Sequence, residues 1–159
     1  MKFQETVLIA EDDANDFCFL RRAFEVAELS CALMHVQNGR EAADYLSGLP
    51  PYSDRFRNPL PQLLVTDLNM PLMNGMELLF WLRGRTELNP LPAVVLSSSG
   101  SESDRTKALA LGARAYHIKP TGFGELVDLV RGLNKQFLEG LGPRARHLQQ
   151  FEPNQLKIV

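Results

Sequence analysis

The stretch Leu63-Leu64-Val65-Thr66-Asp67-Leu68-Asn69-Met70-Pro71 decides the fold. Its first four residues are aliphatic or β-branched, a pattern typical of a strand that is buried on both faces. The run ends at the carboxylate of Asp67, and the residues that follow predict a turn. Ligands of open parallel sheets bind at the carboxyl ends of the strands, so we expect Asp67 at a binding edge.

Similar short apolar runs alternate with helical patterns along the chain. Strands are predicted at 6–10, 31–36, 63–66, 93–96 and 115–118, and helices at 15–28, 39–47, 74–85, 102–111 and 121–138. Strict alternation with right-handed crossovers predicts an α/β fold. We expect a doubly wound, flavodoxin-like (βα)5 fold whose parallel five-stranded sheet has the order 2-1-3-4-5.

Polar residues close four of these runs. Glu11 and Asp12 follow the first run, Asp67 the third, Ser97 the fourth and Lys119 the fifth. Carboxylates that lie close together repel, and a bound cation relieves the repulsion. Hard oxygen ligands favour Mg²⁺, and a carboxylate beside a metal, an ammonium and a hydroxyl is suited to attack phosphorus. Taken singly, the acidic residues could be helix caps and Lys119 a solvated strand end.

Composition excludes several classes of protein. The chain has 159 residues, which suits one domain, and its net charge of −2 gives no reason to expect nucleic-acid binding. No run is long enough for a membrane span and no secretion signal is visible. Cys18 and Cys31 lie in different predicted elements and are interpreted as free thiols in a reducing cytoplasm.

Two segments stand outside the repeating pattern. Residues 48–61 contain four prolines, and we expect them to be irregular and to lie at the edge of the sheet opposite Asp67. Residues 140–159 form a C-terminal extension that begins with helix breakers and ends in Leu156-Lys157-Ile158-Val159. The extension is either a solvated tail or an arm for a dimer or another partner.

With these motifs in order, the chain resembles the receiver domains of two-component response regulators. The resemblance covers roughly residues 5–138. Its motifs are VLIAED at 7–12, VTDLNMP at 65–71 with Gly75, VVLSS at 94–98 and AYHIKP at 115–120. The proline-rich stretch also resembles the stand-alone regulators that partner phytochromes. Residues 1–139 are therefore expected to be a receiver domain, with no output domain in the extension.

The resemblance implies a role for each site residue. Asp67 is the expected phosphoacceptor. Asp12, Asp67 and the backbone carbonyl of Asn69 are the expected Mg²⁺ ligands, and Glu11 is expected to hold a metal-bound water. Ser97 and Lys119 are expected to contact the phosphoryl group, and Tyr116 is the expected switch aromatic. Independently of the resemblance, Asp13 is interpreted as a helix cap.

The resemblance also implies partners. The phosphoryl donor is expected to be a histidine kinase of the phytochrome type, while the downstream protein target is unknown. A homodimer through the fourth helix, fifth strand and fifth helix is expected, and the protein is not expected to be an enzyme with an external product. The alternatives are a receiver-like binding module that works without phosphorylation and a flavodoxin-type electron carrier. Carboxylates after the first strand disfavour the electron carrier because they would repel the FMN phosphate.

Overall fold

Residues 4–139 are described by a computed structural model of the chain. The predictions for the extension at 140–159 lie outside the described residues. The strands are β1 (Thr6–Ala10), β2 (Ala32–Val36), β3 (Leu63–Thr66), β4 (Ala93–Ser97) and β5 (Ala115–Ile118). All neighbouring strands are parallel, in the order β2-β1-β3-β4-β5. The predicted flavodoxin-like (βα)5 fold and its strand order are confirmed.

The helices are α1 (Ala14–Val26), α2 (Gly39–Ser47), α3 (Gly75–Arg83), α4 (Glu102–Ala110) and α5 (Phe123–Leu133). Their first turns are fixed by side-chain caps in four cases out of five. At α1, the carboxylate of Asp13 accepts hydrogen bonds from the backbone N–H groups of Asn15 (2.8 Å) and Asp16 (3.1 Å). Asp13 is therefore a cap, as its position after the acidic pair predicted.

Four helices are shorter than their apolar patterns predicted, α4 by a single residue. α1 ends two residues early because Glu28 adopts a left-handed backbone (φ 58°) that no α-helix can continue. α3 begins at Gly75, since the side chain of Asn74 caps it by accepting from the N–H of Glu77 (2.9 Å). The pattern at 121–138 is α5 followed by a π-helical turn, Asn134–Leu138. Phe137 and Leu138 are both buried on this turn, and so short an apolar pattern does not distinguish a π turn from an α-helix.

The helices cover both faces of the sheet. One apolar cluster joins the sheet to α2, α3 and α4, and the other joins it to α1 and α5. The strands β1 and β3 are fully buried, because each lies in the interior of the sheet under helices on both sides. No helix among residues 4–139 is long and apolar enough to cross a membrane.

The proline-rich segment between α2 and β3 consists of turns. Its anchor is Arg55, whose guanidinium donates to the backbone carbonyls of Tyr45 (2.8 Å), Leu46 (3.0 Å) and Asn58 (3.1 Å). The first two carbonyls belong to the last turn of α2, where few backbone donors remain, and the Tyr45 carbonyl also accepts from the N–H of Gly48 (3.1 Å). The segment rejoins the sheet where the N–H of Gln62 donates to the carbonyl of Thr6 (2.9 Å), at the amino end of β1.

Candidate functional site

The carboxyl ends of the strands gather most of the residues that the sequence singled out. Glu11 and Asp12 leave β1, Asp67 leaves β3 and Lys119 leaves β5. β1 and β3 are neighbours with Ala10 opposite Thr66, so the residues that follow each strand start at the same level. The N–H of Asp67 donates to the carbonyl of Ala10 (3.0 Å) and continues the pairing by one step.

Lys119 lies at the centre of the site. Its ammonium nitrogen is 2.7 Å from Asp16 Oδ2, 2.8 Å from Glu11 Oε2 and 3.0 Å from Asp67 Oδ2. The side chains of Glu11 and Asp67 are 7% and 8% exposed, whereas that of Asp16 is 43% exposed. The contacts of Lys119 with Glu11 and Asp67 are thus shielded from water. Charge pairs attract more strongly in such a shielded environment than in water.

The burial of this cluster changes its acid–base properties. Burial raises the pKa of the Glu11 carboxyl, although hydrogen bonds from Lys119 and from the N–H of Asp13 partly oppose the rise. Burial by itself lowers the pKa of Lys119, but its hydrogen bonds to Asp16, Glu11 and Asp67 outweigh burial and raise the pKa. Lys119 is therefore a permanent positive charge at neutral pH, and burial makes ionisation of Glu11 more costly than in water.

The carboxylates fit a divalent metal ion. One oxygen each from Glu11, Asp12 and Asp67 can be chosen so that all three lie within 4.8 Å of one another. Asp12 is exposed, which leaves the cluster open to solvent on one side. An all-oxygen donor set with an open side suits a hard cation that retains water molecules, as Mg²⁺ does.

The turn after β3 holds Asp67 in place. Asp67 Oδ1 accepts from the N–H of Leu68 (2.6 Å), and the N–H of Gly75 donates to the carbonyl of Leu68 (2.9 Å). A Cβ atom at Gly75 would overlap the carbonyl oxygen of Asp67, so the turn can close only around glycine. Asn69 is exposed, and the structure shows no contact that tests the role expected for its carbonyl.

A second chain of hydrogen bonds runs from β4 toward α4. Ser97 is fully buried, and its hydroxyl accepts from the N–H of Ser99 (3.2 Å). The hydroxyl of Ser99 donates to Asp104 Oδ2 (2.6 Å), in the first turn of α4. Tyr116 is buried, and its hydroxyl donates to the carbonyl of Ser99 (2.7 Å). The expected switch aromatic therefore points inward in this structure.

Two residues at the site were missed by the sequence analysis. Asp16 binds Lys119 from the first turn of α1, and a signal for it existed, because a first-turn residue after Glu11 and Asp12 lies near the same edge of the sheet. His35 in β2 contacts the backbone of Glu11 (2.8 Å). No sequence signal marked His35, since it sits inside a predicted strand rather than at its end.

A groove of about 290 Å³ opens beside the ammonium of Lys119, between α1 and the connection from β5 to α5. Its wall combines the charged cluster at one end with apolar side chains along its length. The apolar members are Phe19, Leu20, Leu96, Pro120, Phe123 and Leu126. Phe19 is 59% exposed, which is unusual for a large aromatic side chain.

Comparison with known proteins agrees with this geometry. The family model described as the response regulator receiver domain matches residues 7–131, which include all five strands except Thr6, the first residue of β1, and most of α5. Receiver domains bind a divalent metal at an acidic pocket of this kind, and the cluster of Glu11, Asp12 and Asp67 provides one.

Several solved structures are similar over nearly their full length. Response regulator RPA3017, in red light signalling of R. palustris, is 32% identical, with a TM-score of 0.82 over 87% of this chain and 96% of that chain. The phosphorylated cyanobacterial phytochrome response regulator RcpA is 26% identical, with a TM-score of 0.78 over 86% of this chain and 96% of that chain. The Mn²⁺-bound form of response regulator Rcp1, a protein of Synechocystis, is 25% identical, with a TM-score of 0.76 over 87% of this chain and 97% of that chain.

Proposed function

This chain belongs to the family of response regulator receiver domains, and we propose that it accepts a phosphoryl group on Asp67 from a histidine kinase and signals by phosphorylation-dependent protein binding. One observation supports this most directly. Asp67 lies in a cluster of three carboxylates whose oxygens approach within 4.8 Å, and the ammonium of Lys119 is 3.0 Å from it. This combination meets the requirement of phosphoryl transfer for positive charge around a carboxylate nucleophile.

In the proposed reaction, a carboxylate oxygen of Asp67 attacks the phosphorus of a phosphohistidine. A P–O bond forms and the P–N bond breaks, its electron pair remaining on the departing imidazole. Lys119 neutralises negative charge on the transferring group from the side of β5, because its ammonium already contacts Asp67. Asp12, Asp67 and the carbonyl of Asn69 would hold Mg²⁺, with Glu11 binding it through a water molecule, and the ion would supply further positive charge to the phosphoryl oxygens.

Ser97 and Tyr116 are the proposed transmitters. The hydroxyl of Ser97 is buried at the end of β4, the strand next to the one that Asp67 follows, and it would donate to a phosphoryl oxygen on Asp67. Movement of the Ser97 hydroxyl toward the phosphoryl group would weaken its hydrogen bond from the N–H of Ser99. The carbonyl of Ser99 in turn accepts a hydrogen bond from the hydroxyl of Tyr116. A charge of about −1.5 to −2 added at Asp67 thus reaches the loop before α4 through two hydrogen bonds.

The proposed kinase is of the phytochrome type. This part of the proposal is supported by the similarity to RPA3017 and RcpA, whose names refer to red light signalling and to a phytochrome. The exposed Asp12 leaves the carboxylate cluster open to solvent on one side, and a phosphorylated side chain of the kinase would approach Asp67 from that side.

For the output, we propose a surface formed by α4, β5 and α5, which would also make a homodimer. Exposed apolar side chains on these three elements support it: Leu109 in α4 is 41% exposed, Ile118 in β5 is 55% exposed and Phe123 in α5 is 39% exposed. A partner that covered these three side chains would remove their apolar surface from water, which favours association.

The test is labelling with acetyl phosphate in the presence of Mg²⁺, read as the mass gain of one phosphoryl group, with sizing of both forms. We expect labelling of the wild type, loss of labelling in Asp67→Asn and no labelling in a chelator. The matched control is Asp128→Asn on the exposed face of α5, which removes the same charge and should leave labelling unchanged. Undiminished labelling of Asp67→Asn refutes the assignment of Asp67.

The alternative function is a receiver-like module that binds partners without phosphorylation. It predicts that the wild type stays unlabelled by acetyl phosphate and by any purified histidine kinase, although it binds Mg²⁺. The intact set of Glu11, Asp12, Asp67, Ser97 and Lys119 favours the phosphoacceptor, because a module without phosphoryl chemistry has no need to keep opposing charges buried together.

A further inference from the structure

His35, near the end of β2, contacts the site from outside the acidic cluster. Its Nε2 lies 2.8 Å from the backbone carbonyl oxygen of Glu11. Its ring stacks on Phe17 of α1, with ring centroids 3.8 Å apart and planes inclined by 4°. One side chain thus joins β2 both to the segment after β1 and to the first turns of α1.

The contact with Glu11 occurs where strand pairing has ended. The parallel pairing of β1 with β2 stops at Ala10 and Val36, and the N–H of Glu11 donates to the carbonyl of Val36 (3.0 Å). The carbonyl of Glu11 has left this ladder and receives its hydrogen bond from the His35 side chain. A carbonyl oxygen only accepts, so the proton lies on Nε2 of His35.

The stacking contact reaches the same site by a second route. Phe17 is adjacent in sequence to Asp16, whose carboxylate lies 2.7 Å from the Lys119 ammonium. His35 therefore contacts Glu11 directly, and it also contacts Phe17, the residue next to Asp16. Backbone freedom at either place would let these carboxylates move, and a small displacement of a ligand is costly at a metal or phosphoryl-transfer site.

We infer that His35 is a positioning residue: its hydrogen bond to the Glu11 carbonyl holds the Glu11–Asp12 segment in the geometry that binds a divalent metal ion. The inference rests on the proposed function, because it deepens the account of the same site. His35 touches neither the metal ligands' side-chain oxygens nor Asp67, so its effect passes through the backbone.

Two substitutions separate the hydrogen bond from the packing. His35→Phe keeps an aromatic ring to stack on Phe17 and removes the donor. His35→Gln loses the ring but retains an N–H donor the same number of bonds from Cβ as the histidine Nε2. Affinity for Mn²⁺ and for Mg²⁺ is measured by calorimetry on the full chain, and thermal unfolding in a chelator reports on folding.

We expect His35→Phe to bind both ions about fivefold more weakly, the typical effect of one lost hydrogen bond, and His35→Gln to bind within about twofold of the wild type. Acetyl phosphate labelling of His35→Phe should need more Mg²⁺ for half-maximal rate but reach the wild-type rate at saturation. Equal affinity in both variants, whether unchanged or reduced alike, overturns the inference. A wild type that binds Mn²⁺ but is never labelled contradicts the proposed function and leaves the inference about His35 standing.

Discussion

Replacing Lys119 by methionine removes the positive charge from a group of carboxylates while keeping a similar apolar stem. In the absence of metal, the buried carboxylates of Glu11 and Asp67 would then face each other and Asp12 without a cation. At an effective dielectric of 20, an ion pair at the 3.0 Å separation of Lys119 and Asp67 corresponds to about 5–6 kcal/mol of gross attraction. Desolvation offsets part of that value.

Breaking a buried pair by removing one partner typically costs about 3–5 kcal/mol. Solvent reaches Lys119 and Asp16, whose side chains are 19% and 43% exposed, so the lower end applies. We therefore expect Lys119→Met to lower the free energy of unfolding by about 3 kcal/mol at neutral pH in a chelator. The assay is urea unfolding followed by far-ultraviolet circular dichroism. Lys107→Met, at an exposed lysine of α4, is the charge-matched control and should change stability by less than about 0.5 kcal/mol.

The pH dependence has a definite sign. The pKa of Glu11 is already raised by burial above its ordinary 4.5, and loss of Lys119 removes a hydrogen bond and a charge that lower it. A carboxyl with a raised pKa in the folded state contributes stability below its unfolded pKa and loses it as pH rises through the folded pKa. The deficit of Lys119→Met should therefore be smallest below about pH 4.5 and grow as pH rises above it.

Mg²⁺ should reverse part of the deficit of Lys119→Met, because a bound cation replaces the missing positive charge. A ligand at a hundred times its Kd stabilises the folded state by about 2.7 kcal/mol, and the variant should bind more tightly than the wild type. We expect the difference in unfolding free energy to narrow by about 1–2 kcal/mol in saturating Mg²⁺. A deficit that responds neither to pH nor to Mg²⁺ would show that Lys119 acts by packing rather than by charge.

Two further predictions concern the turn after β3 and the thiols. Gly75→Ala should lower the free energy of unfolding by more than about 2 kcal/mol and abolish labelling, because the new Cβ atom would overlap the Asp67 carbonyl. The control is Gly132→Ala in α5, where a Cβ atom meets open space, and this variant should raise the free energy of unfolding by about 0.5–1 kcal/mol. Urea unfolding measures both changes. Iodoacetamide should modify the exposed Cys18 rapidly and Cys31 slowly at neutral pH, because burial raises the pKa of Cys31 to about 11. The rate of modification of Cys31 should rise with pH, and peptide mass spectrometry measures both rates. Equal rates at both thiols would contradict the burial of Cys31.

Much of the site was readable from the sequence because strand ends are local features. The apolar runs before Glu11, Asp67 and Lys119 predicted strands, and parallel strands place their carboxyl ends at one edge. The pattern also predicted Asp13 as a cap, which depends only on the residues that follow it. These inferences needed the order of the elements and not their packing.

Other features depended on how far each helix is rotated and where each loop runs. Asp16 reaches Lys119, and Phe17 stacks on His35, because α1 packs on the sheet at one particular height and angle. The sequence by itself determined which side chains lie at the carboxyl edge of the sheet, because the residues that follow each parallel strand lie at that edge. Only the tertiary structure decided which of them touch, because contacts of about 3 Å are fixed by the packing of the whole core and not by any segment alone.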